Sequence, residues 1–134
     1  MMIYNLKLYF ILLAAFFAID MVWLGLVARP FYQKHLGFLL APSTNWLAAI
    51  IFYLLFILGL LVFVVLPGLA DGSFKTTLVR AALFGLITYA TYDLTNLATL
   101  KDWPLLLSMV DMIWGVVLSV SVSTVGFFAG TWLA

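Results

Sequence analysis

The sequence predicts an all-α, polytopic integral membrane protein whose four transmembrane helices form an antiparallel bundle. Three observations lead to this fold class. Of the 134 residues, 67% are hydrophobic and only 8% are charged, whereas a soluble domain carries about a quarter charged residues. Apolar runs of about 20 residues, the length that crosses a bilayer, occur four times. Proline, glycine or charged residues separate these runs. Because the chain is short, we expect a single membrane domain over residues 1–134.

The boundaries of the four helices follow from the positions of these breakers. The first helix is expected to stop at Arg29-Pro30 and the second at Pro67-Gly68, because proline removes a backbone donor and crowds the preceding turn. Pro104 suits the first turn of the fourth helix, where its missing N–H costs nothing. The segment after Arg29 mixes aromatic, aliphatic and basic residues, which is typical of an interfacial segment. The expected helices are at about residues 6–28, 45–66, 77–100 and 104–132.

Composition and charge exclude several classes of function. The formal net charge of +1 provides no basic field for nucleic acid. The chain has no cysteine, which excludes disulfides, thiolate metal sites and cysteine nucleophiles. The one histidine, His35, lies in the segment between the first two helices, and no glycine-rich nucleotide loop is present. The sequence therefore assigns no catalytic residue, no cofactor and no metal site, and it leaves open whether the protein is an enzyme.

Three of the five acidic residues fall inside the predicted helices. Asp20 lies near the end of the first helix, Asp93 near the end of the third, and Asp111 near the start of the fourth. At a rise of about 1.5 Å per residue, each is roughly 10 Å from its helix end. Because successive helices run in opposite directions, the three positions belong to one layer of the bilayer. We expect their carboxyl groups to converge there.

Polar and aromatic residues accompany these carboxyl groups. An aspartate precedes a tryptophan by three residues both in Asp20-x-x-Trp23 and in Asp111-x-x-Trp114, and an indole N–H can donate to a carboxylate. The third helix has a polar face with Asp93 at its edge, and the residues on this face are Gly85, Thr88, Tyr89, Tyr92, Thr95, Asn96 and Thr99. We expect that face to meet protein or water and the opposite, apolar face to meet lipid. The candidate binding residues are Asp20, Trp23, Tyr92, Asp93, Asn96, Asp111 and Trp114.

The fourth helix also carries small residues at close spacing. Gly115, Ser119 and Ser123 are four residues apart, and Gly126 and Gly130 continue the series. Small residues at this spacing let helices approach closely in a membrane. We predict a packing surface within the bundle, with a dimer face as the alternative.

Several strings of this chain are distinctive for a membrane protein. They are Asp20-x-x-Trp23-Leu24-Gly25, the segment from Tyr89 to Thr99 with Tyr92-Asp93-Leu94-Thr95-Asn96 at its centre, and Trp103-Pro104 followed by Asp111-x-x-Trp114-Gly115. On these strings the chain resembles, over essentially its whole length, a family of small bacterial predicted membrane proteins, domain of unknown function 2177. The resemblance implies a location in the bacterial inner (plasma) membrane and implies no activity.

Two classes of function stay open. In one, the polar cluster binds a lipid-like molecule, a cation or protons, because apolar walls with a few polar groups are typical of ligand sites and carboxylates suit hard cations. In the other, the protein is a non-catalytic accessory or scaffold subunit of a larger membrane assembly, and the cluster is a hydrogen-bonded clasp. Besides the lipid bilayer, a homo-oligomer or a larger membrane complex is a candidate partner. A cavity reachable from lipid would favour the first class, and a sealed, fully bonded cluster the second.

Overall fold

Four helices and no strand make up the computed structural model, which describes residues 1–134. The helices are α1 (Met2–Leu36), α2 (Trp46–Ala70), α3 (Phe74–Thr99) and α4 (Leu105–Leu133). The side chain of Asn45 caps α2 by accepting a hydrogen bond from the backbone N–H of Ala48, and Ser73 caps α3 in the same way through Thr76. The predicted all-α fold of four helices is confirmed.

Neighbouring helices run antiparallel, in the order α1, α2, α3, α4 around the bundle. On the interface of α1 with α4, Tyr4 donates a hydrogen bond to the carbonyl of Gly130 at one end, over 2.8 Å. At the other end, Trp114 of α4 donates to Asp20 of α1. Between α3 and α4, which share the largest interface, Ser108 near the start of α4 bonds to the backbone near the end of α3.

The outer surface of the bundle is suited to lipid. Only 27 of the 134 residues are buried, and large apolar side chains such as Leu55, Phe63 and Ile113 point outward. Helices α1, α2 and α4 are each long and apolar enough to cross a membrane. Helix α3 contains Lys75, Arg80 and Asp93 and is the most polar of the four, but it packs against both α2 and α4. A continuous apolar exterior of this kind is stable in hydrocarbon and not in water.

The buried face of α1 repeats every four residues. Its members are Leu8, Leu12, Phe16 and Asp20. The first three belong to the main apolar core, which α2 and α4 complete. The same helical periodicity that buries the leucines therefore places a carboxyl group in the bundle interior one turn later.

Helix α1 does not end at Arg29-Pro30 as predicted. Residues Trp23–Ala28 are π-helical, and the N–H of Arg29 bonds to the carbonyl of Leu24, five residues earlier. Proline normally breaks a helix because its ring collides with the carbonyl four residues before it. The wider π turn relieves that collision, so the helix continues through the supposed interfacial segment to Leu36.

Helix α2 accommodates its proline in the same way, with a π-helical turn before it. Residues Leu61–Val65 are π-helical, the N–H of Leu66 bonds to the carbonyl of Leu61, and Pro67 follows directly. The helix therefore continues past Pro67-Gly68 to Ala70. In both helices the sequence shows the proline but not the change of hydrogen-bond register that accommodates it.

Thr95 and Thr99 point away from the bundle, which corrects the prediction that the whole polar face of α3 meets protein or water. The first part of that face does point inward, because Gly85 is buried and Thr88 and Tyr89 line a cavity. Thr91, Thr95 and Thr99 are exposed, and each hydroxyl donates to the carbonyl oxygen four residues earlier. Hydroxyl groups satisfied in this way are tolerated at a lipid-facing surface. The buried residues of α3 are Thr77, Ala81, Gly85 and Asp93. Asp93 thus lies on the buried face and not at the edge of a polar one.

The small residues of α4 face the bundle interior. A Cβ atom at Gly115 would overlap the ring of Tyr89, and one at Gly126 would overlap Leu12. Ser119 and Ser123 are fully buried. The predicted packing surface within the bundle is confirmed, and these residues do not form a dimer face.

The closest approach of α3 and α4 can be tested at Gly85. Its added methyl group would overlap the backbone carbonyl of Gly115 and lie 2.6 Å from the hydroxyl of Ser119. We predict that Gly85→Ala lowers the free energy of unfolding in detergent by about 1–3 kcal/mol, because the two helices must separate. The control is Gly25→Ala, where a Cβ meets nothing within 4 Å. Equal stability of the two variants in an equilibrium unfolding titration would contradict this packing.

Candidate functional site

Asp20 of α1 is bonded across the bundle to α4. Its Oδ1 atom accepts a hydrogen bond from Nε1 of Trp114 at 3.3 Å. The ring of Trp114 is stacked on that of Trp23, with centroids 4.4 Å apart and planes 8° from parallel. The two Asp-x-x-Trp strings therefore meet each other, and the aspartate of one bonds to the tryptophan of the other.

The continuation of α1 beyond Pro30 brings Tyr32 to Asp111. The hydroxyl of Tyr32 donates to Oδ1 of Asp111 at 2.6 Å, within the range of O–H···O hydrogen bonds. One turn later, Leu36 packs against Trp103 and Leu107 at the α3–α4 connection. The last two turns of α1 thus cover one end of the helix hairpin formed by α3 and α4.

Asp93 is the most enclosed of the three carboxyl groups. The residue is fully buried, and neither carboxyl oxygen has a hydrogen-bond partner. Its backbone carbonyl accepts from the hydroxyl of Ser108 at 3.1 Å, and that hydroxyl accepts from Nε1 of Trp103 at 2.8 Å. The backbone of Asp93 is therefore fixed, while its side chain is left without a protein donor.

Asp111 lies between the other two carboxyl groups. It interacts electrostatically with Asp20 on one side and with Asp93 on the other. The three acidic residues from α1, α3 and α4 thus come together in one layer. Two carboxyl groups in contact in apolar surroundings cannot both be ionised unless a cation accompanies them.

Two adjoining cavities open beside these carboxyl groups. One, of about 320 Å³, is lined by Phe52, Thr88, Tyr89, Tyr92 and Asp111. The other, of about 300 Å³, shares the last three of these residues. Its remaining lining residues are Asp20, Trp23, Leu24, Tyr32, Leu36, Leu40, Tyr53, Leu107 and Trp114. We call the two together the acidic cleft.

The acidic cleft reaches the outer surface between α2 and α3. These helices contact each other mainly from Phe56 onward along α2. The ring centroid of Phe56 lies 5.4 Å from that of Phe84 of α3. Toward the start of α2 they diverge, and Phe52 and Thr88 line the gap. The opening therefore faces the side of the bundle that lipid surrounds.

Most of the residues predicted from the sequence line this cleft. Asp20, Trp23, Tyr92, Asp111 and Trp114 do so, and Asp93 lies behind Asp111. Asn96 is half-buried, lines neither cavity and makes no side-chain hydrogen bond, so the structure does not bring it into the cluster. The role of these residues in binding stays a prediction.

Three tyrosines of the cleft were not among the predicted site residues. Tyr32 was missed because the helix was expected to end at Pro30, although Ala28, Tyr32 and Leu36 keep the four-residue spacing of a buried face. Tyr53 precedes the buried residues Phe56 and Leu60 of α2 at helical spacing, which was the available signal. Tyr89 belongs to the predicted polar face of the third helix, which was the available signal.

No basic side chain enters the acidic cleft. His35 donates from Nδ1 to the carbonyl of Phe31 on its own helix at 2.9 Å. Arg29 and Lys101, which lie in the neighbouring segments, are exposed. No group of three or more histidine, aspartate or glutamate side chains has the arrangement of a metal site. The electrostatic character of the cleft is therefore set by aspartates and neutral aromatic donors.

The buried carboxyl group of Asp93 leads to a prediction about stability. We expect Asp93→Asn to unfold with a free energy equal to that of the wild type or up to about 2 kcal/mol higher, because it replaces one of two buried carboxyl groups in contact with a neutral amide. Its amide can also donate to Asp111. Equilibrium unfolding in one detergent measures the difference, and Asp111→Asn is the matched variant, expected to be less stable. A clear loss of stability in Asp93→Asn would show that native partners hold an ionised carboxylate.

The bond between Tyr32 and Asp111 makes a second prediction. Tyr32→Phe should lower the free energy of unfolding by about 1–3 kcal/mol, the cost of leaving a buried hydrogen-bonding group without its partner. Amide hydrogen exchange should accelerate in residues 29–36. Tyr9→Phe is the comparison, because it removes a 2.9 Å bond to the neutral carbonyl of Leu54 at an exposed site. A double-mutant cycle of Tyr32→Phe with Asp111→Asn that gave no coupling energy would contradict the assignment.

Comparison with known proteins identifies one family. A family model described as a predicted membrane protein, DUF2177, matches residues 5–128. The matched segment includes parts of all four helices and every residue that lines the acidic cleft. No curated protein and no solved structure matches the chain.

Proposed function

The chain belongs to the DUF2177 family of predicted membrane proteins, and we propose that it binds a lipid-like molecule within the bacterial inner membrane. The polar end of that molecule would occupy the acidic cleft. Its apolar chain would leave through the gap between α2 and α3. The observation that carries the proposal is this lateral opening, which joins the surrounding lipid to a buried polar layer.

The composition of the cleft fits an amphiphile. Its inner end presents carboxyl and phenol groups from Asp20, Asp111 and Tyr32, while Phe52 and Leu24 supply apolar surface nearer the outside. Ligand sites typically combine apolar walls with a few convergent polar groups. A molecule that is polar at one end and apolar at the other satisfies both parts at once.

The scaffold alternative is less well supported. A structural clasp should satisfy its buried polar atoms internally, because an unsatisfied group in hydrocarbon is costly. Here the indole N–H of Trp23 makes no hydrogen bond, and the carboxyl group of Asp93 faces only the neighbouring carboxyl group of Asp111. An open, incompletely bonded cluster is the arrangement that a binding site requires.

The proposal concerns binding and not a reaction. Thr88 is the one aliphatic hydroxyl among the residues that line the acidic cleft, and no histidine or lysine lines it beside Thr88. An activated nucleophile needs a base within hydrogen-bond reach. The hydroxyl that has such a base, Tyr32 with Asp111, forms the bond that joins the end of α1 to α4, so we propose recognition and assign no reaction.

The gap between α2 and α3 can be closed to test this function. We predict that Thr88→Phe weakens binding of an amphiphile on the order of tenfold, because losing two buried methylene contacts costs about 1.6 kcal/mol. The probes are brominated dodecyl amphiphiles with trimethylammonium, dimethylamine N-oxide or carboxylate headgroups. Their bromines quench tryptophan fluorescence in a Trp46→Phe, Trp132→Phe background, which keeps the tryptophans of the cleft.

The matched control is Leu86→Phe, on the same helix but lining a separate apolar pocket with Met109 and Met112. It should leave quenching of the cleft tryptophans unchanged. If Thr88→Phe and Leu86→Phe give the same titration curves with every probe, the amphiphile does not enter between α2 and α3 and the proposed function is wrong.

A further inference from the structure

We infer that the polar end of the ligand in the acidic cleft is a cationic ammonium group. This inference rests on the proposed function and names the chemical class of its ligand. It draws on three features of the molecule: the charge of the cleft walls, the unpartnered carboxyl group behind them, and the aromatic faces beside them.

The walls of the acidic cleft disfavour anions. Asp20 and Asp111 line it, and no lysine, arginine or histidine side chain does so. A phosphate, sulfate or carboxylate headgroup would meet like charge in surroundings of low dielectric constant, where such repulsion is strong. A cationic headgroup would instead be attracted to both aspartates.

Asp93 supplies an observation that does not depend on the cleft walls. This residue is fully buried behind Asp111, and neither of its carboxyl oxygens has a partner. The donors that do reach the cluster, Tyr32 and Trp114, are neutral and are already bonded to the other two aspartates. The protein thus gathers acidic groups without a compensating positive charge, and a ligand cation would provide it.

The aromatic residues identify the kind of cation. Trp23 is stacked on Trp114, and both line the same cavity as Tyr53, Tyr89 and Tyr92. Aromatic faces beside carboxylates are the usual surroundings of bound organic ammonium ions, which the ring quadrupoles attract. A divalent metal ion would need several oxygen ligands directed at one point, and the acidic side chains do not have that arrangement.

The headgroup series provides a direct test on the unmodified cleft. Brominated dodecyltrimethylammonium and the matching dimethylamine N-oxide have nearly the same shape, but only the first carries net charge at neutral pH. We expect the ammonium probe to bind on the order of tenfold more tightly, the scale of a desolvated cation–π contact with carboxylates nearby. The carboxylate probe should bind most weakly.

Two variants test which residue causes the preference for the ammonium probe over the N-oxide probe. Asp111→Asn should remove most of the difference between the ammonium and N-oxide probes. Asp102→Asn should retain it, because Asp102 lies in the exposed α3–α4 connection at φ 60°, a conformation that asparagine also adopts. If Asp111→Asn does not fold, Asp20→Asn replaces it, and the comparison of probes on the wild-type cleft decides independently.

The outcomes separate this inference from the function on which it rests. Equal affinity for the ammonium and N-oxide probes, with both weakened by Thr88→Phe, would overturn the ammonium assignment and leave an amphiphile site. Tightest binding of the carboxylate probe would also overturn it. If Thr88→Phe weakens no probe, both proposals are wrong.

Discussion

The hydrogen bond from Tyr32 to Asp111 is the interaction on which the architecture of the cleft depends. It joins the last turns of α1 to α4 across 2.6 Å and keeps them over the α3–α4 hairpin. Without that cover, the packing of Leu36 on Trp103 would lose its anchor. The cavity would then lose one wall, since Tyr32 and Leu36 both line it. A single hydrogen bond in surroundings of low dielectric constant therefore shapes the site.

The three aspartates differ in the hydrogen bonds that their carboxyl groups accept. Asp111 accepts a hydrogen bond from the phenol of Tyr32, and Asp20 accepts one from the indole N–H of Trp114. The buried Asp93 accepts neither kind of bond. A packed bundle gains nothing in stability from a carboxyl group without a partner, because hydrocarbon disfavours its charge. Such a residue is explained by a bound molecule or an exchanged proton better than by folding. The open cleft beside Asp93 is the space that such a bound molecule would occupy.

Several parts of the site could be predicted because they follow from helix geometry alone. Depth along a straight helix placed Asp20, Asp93 and Asp111 in one layer, since each residue advances the chain by a fixed rise. The pairing of tryptophan with aspartate followed from donor and acceptor chemistry. The position of Tyr32 could not be predicted, because it depends on a π turn before Pro30. The direction of Thr95 could not be predicted either, because its hydroxyl is satisfied by its own helix.

An all-helical membrane protein with acidic residues at one depth could be predicted without any structure. Apolar length and helical rise are local properties, which a single chain segment expresses without its neighbours. The packing of the helices was needed to show which side chains face one another, where α2 diverges from α3, and that Asn96 lies outside the cluster. These features depend on the rotation and spacing of whole helices, which are set by contacts between distant residues such as Gly85 and Gly115.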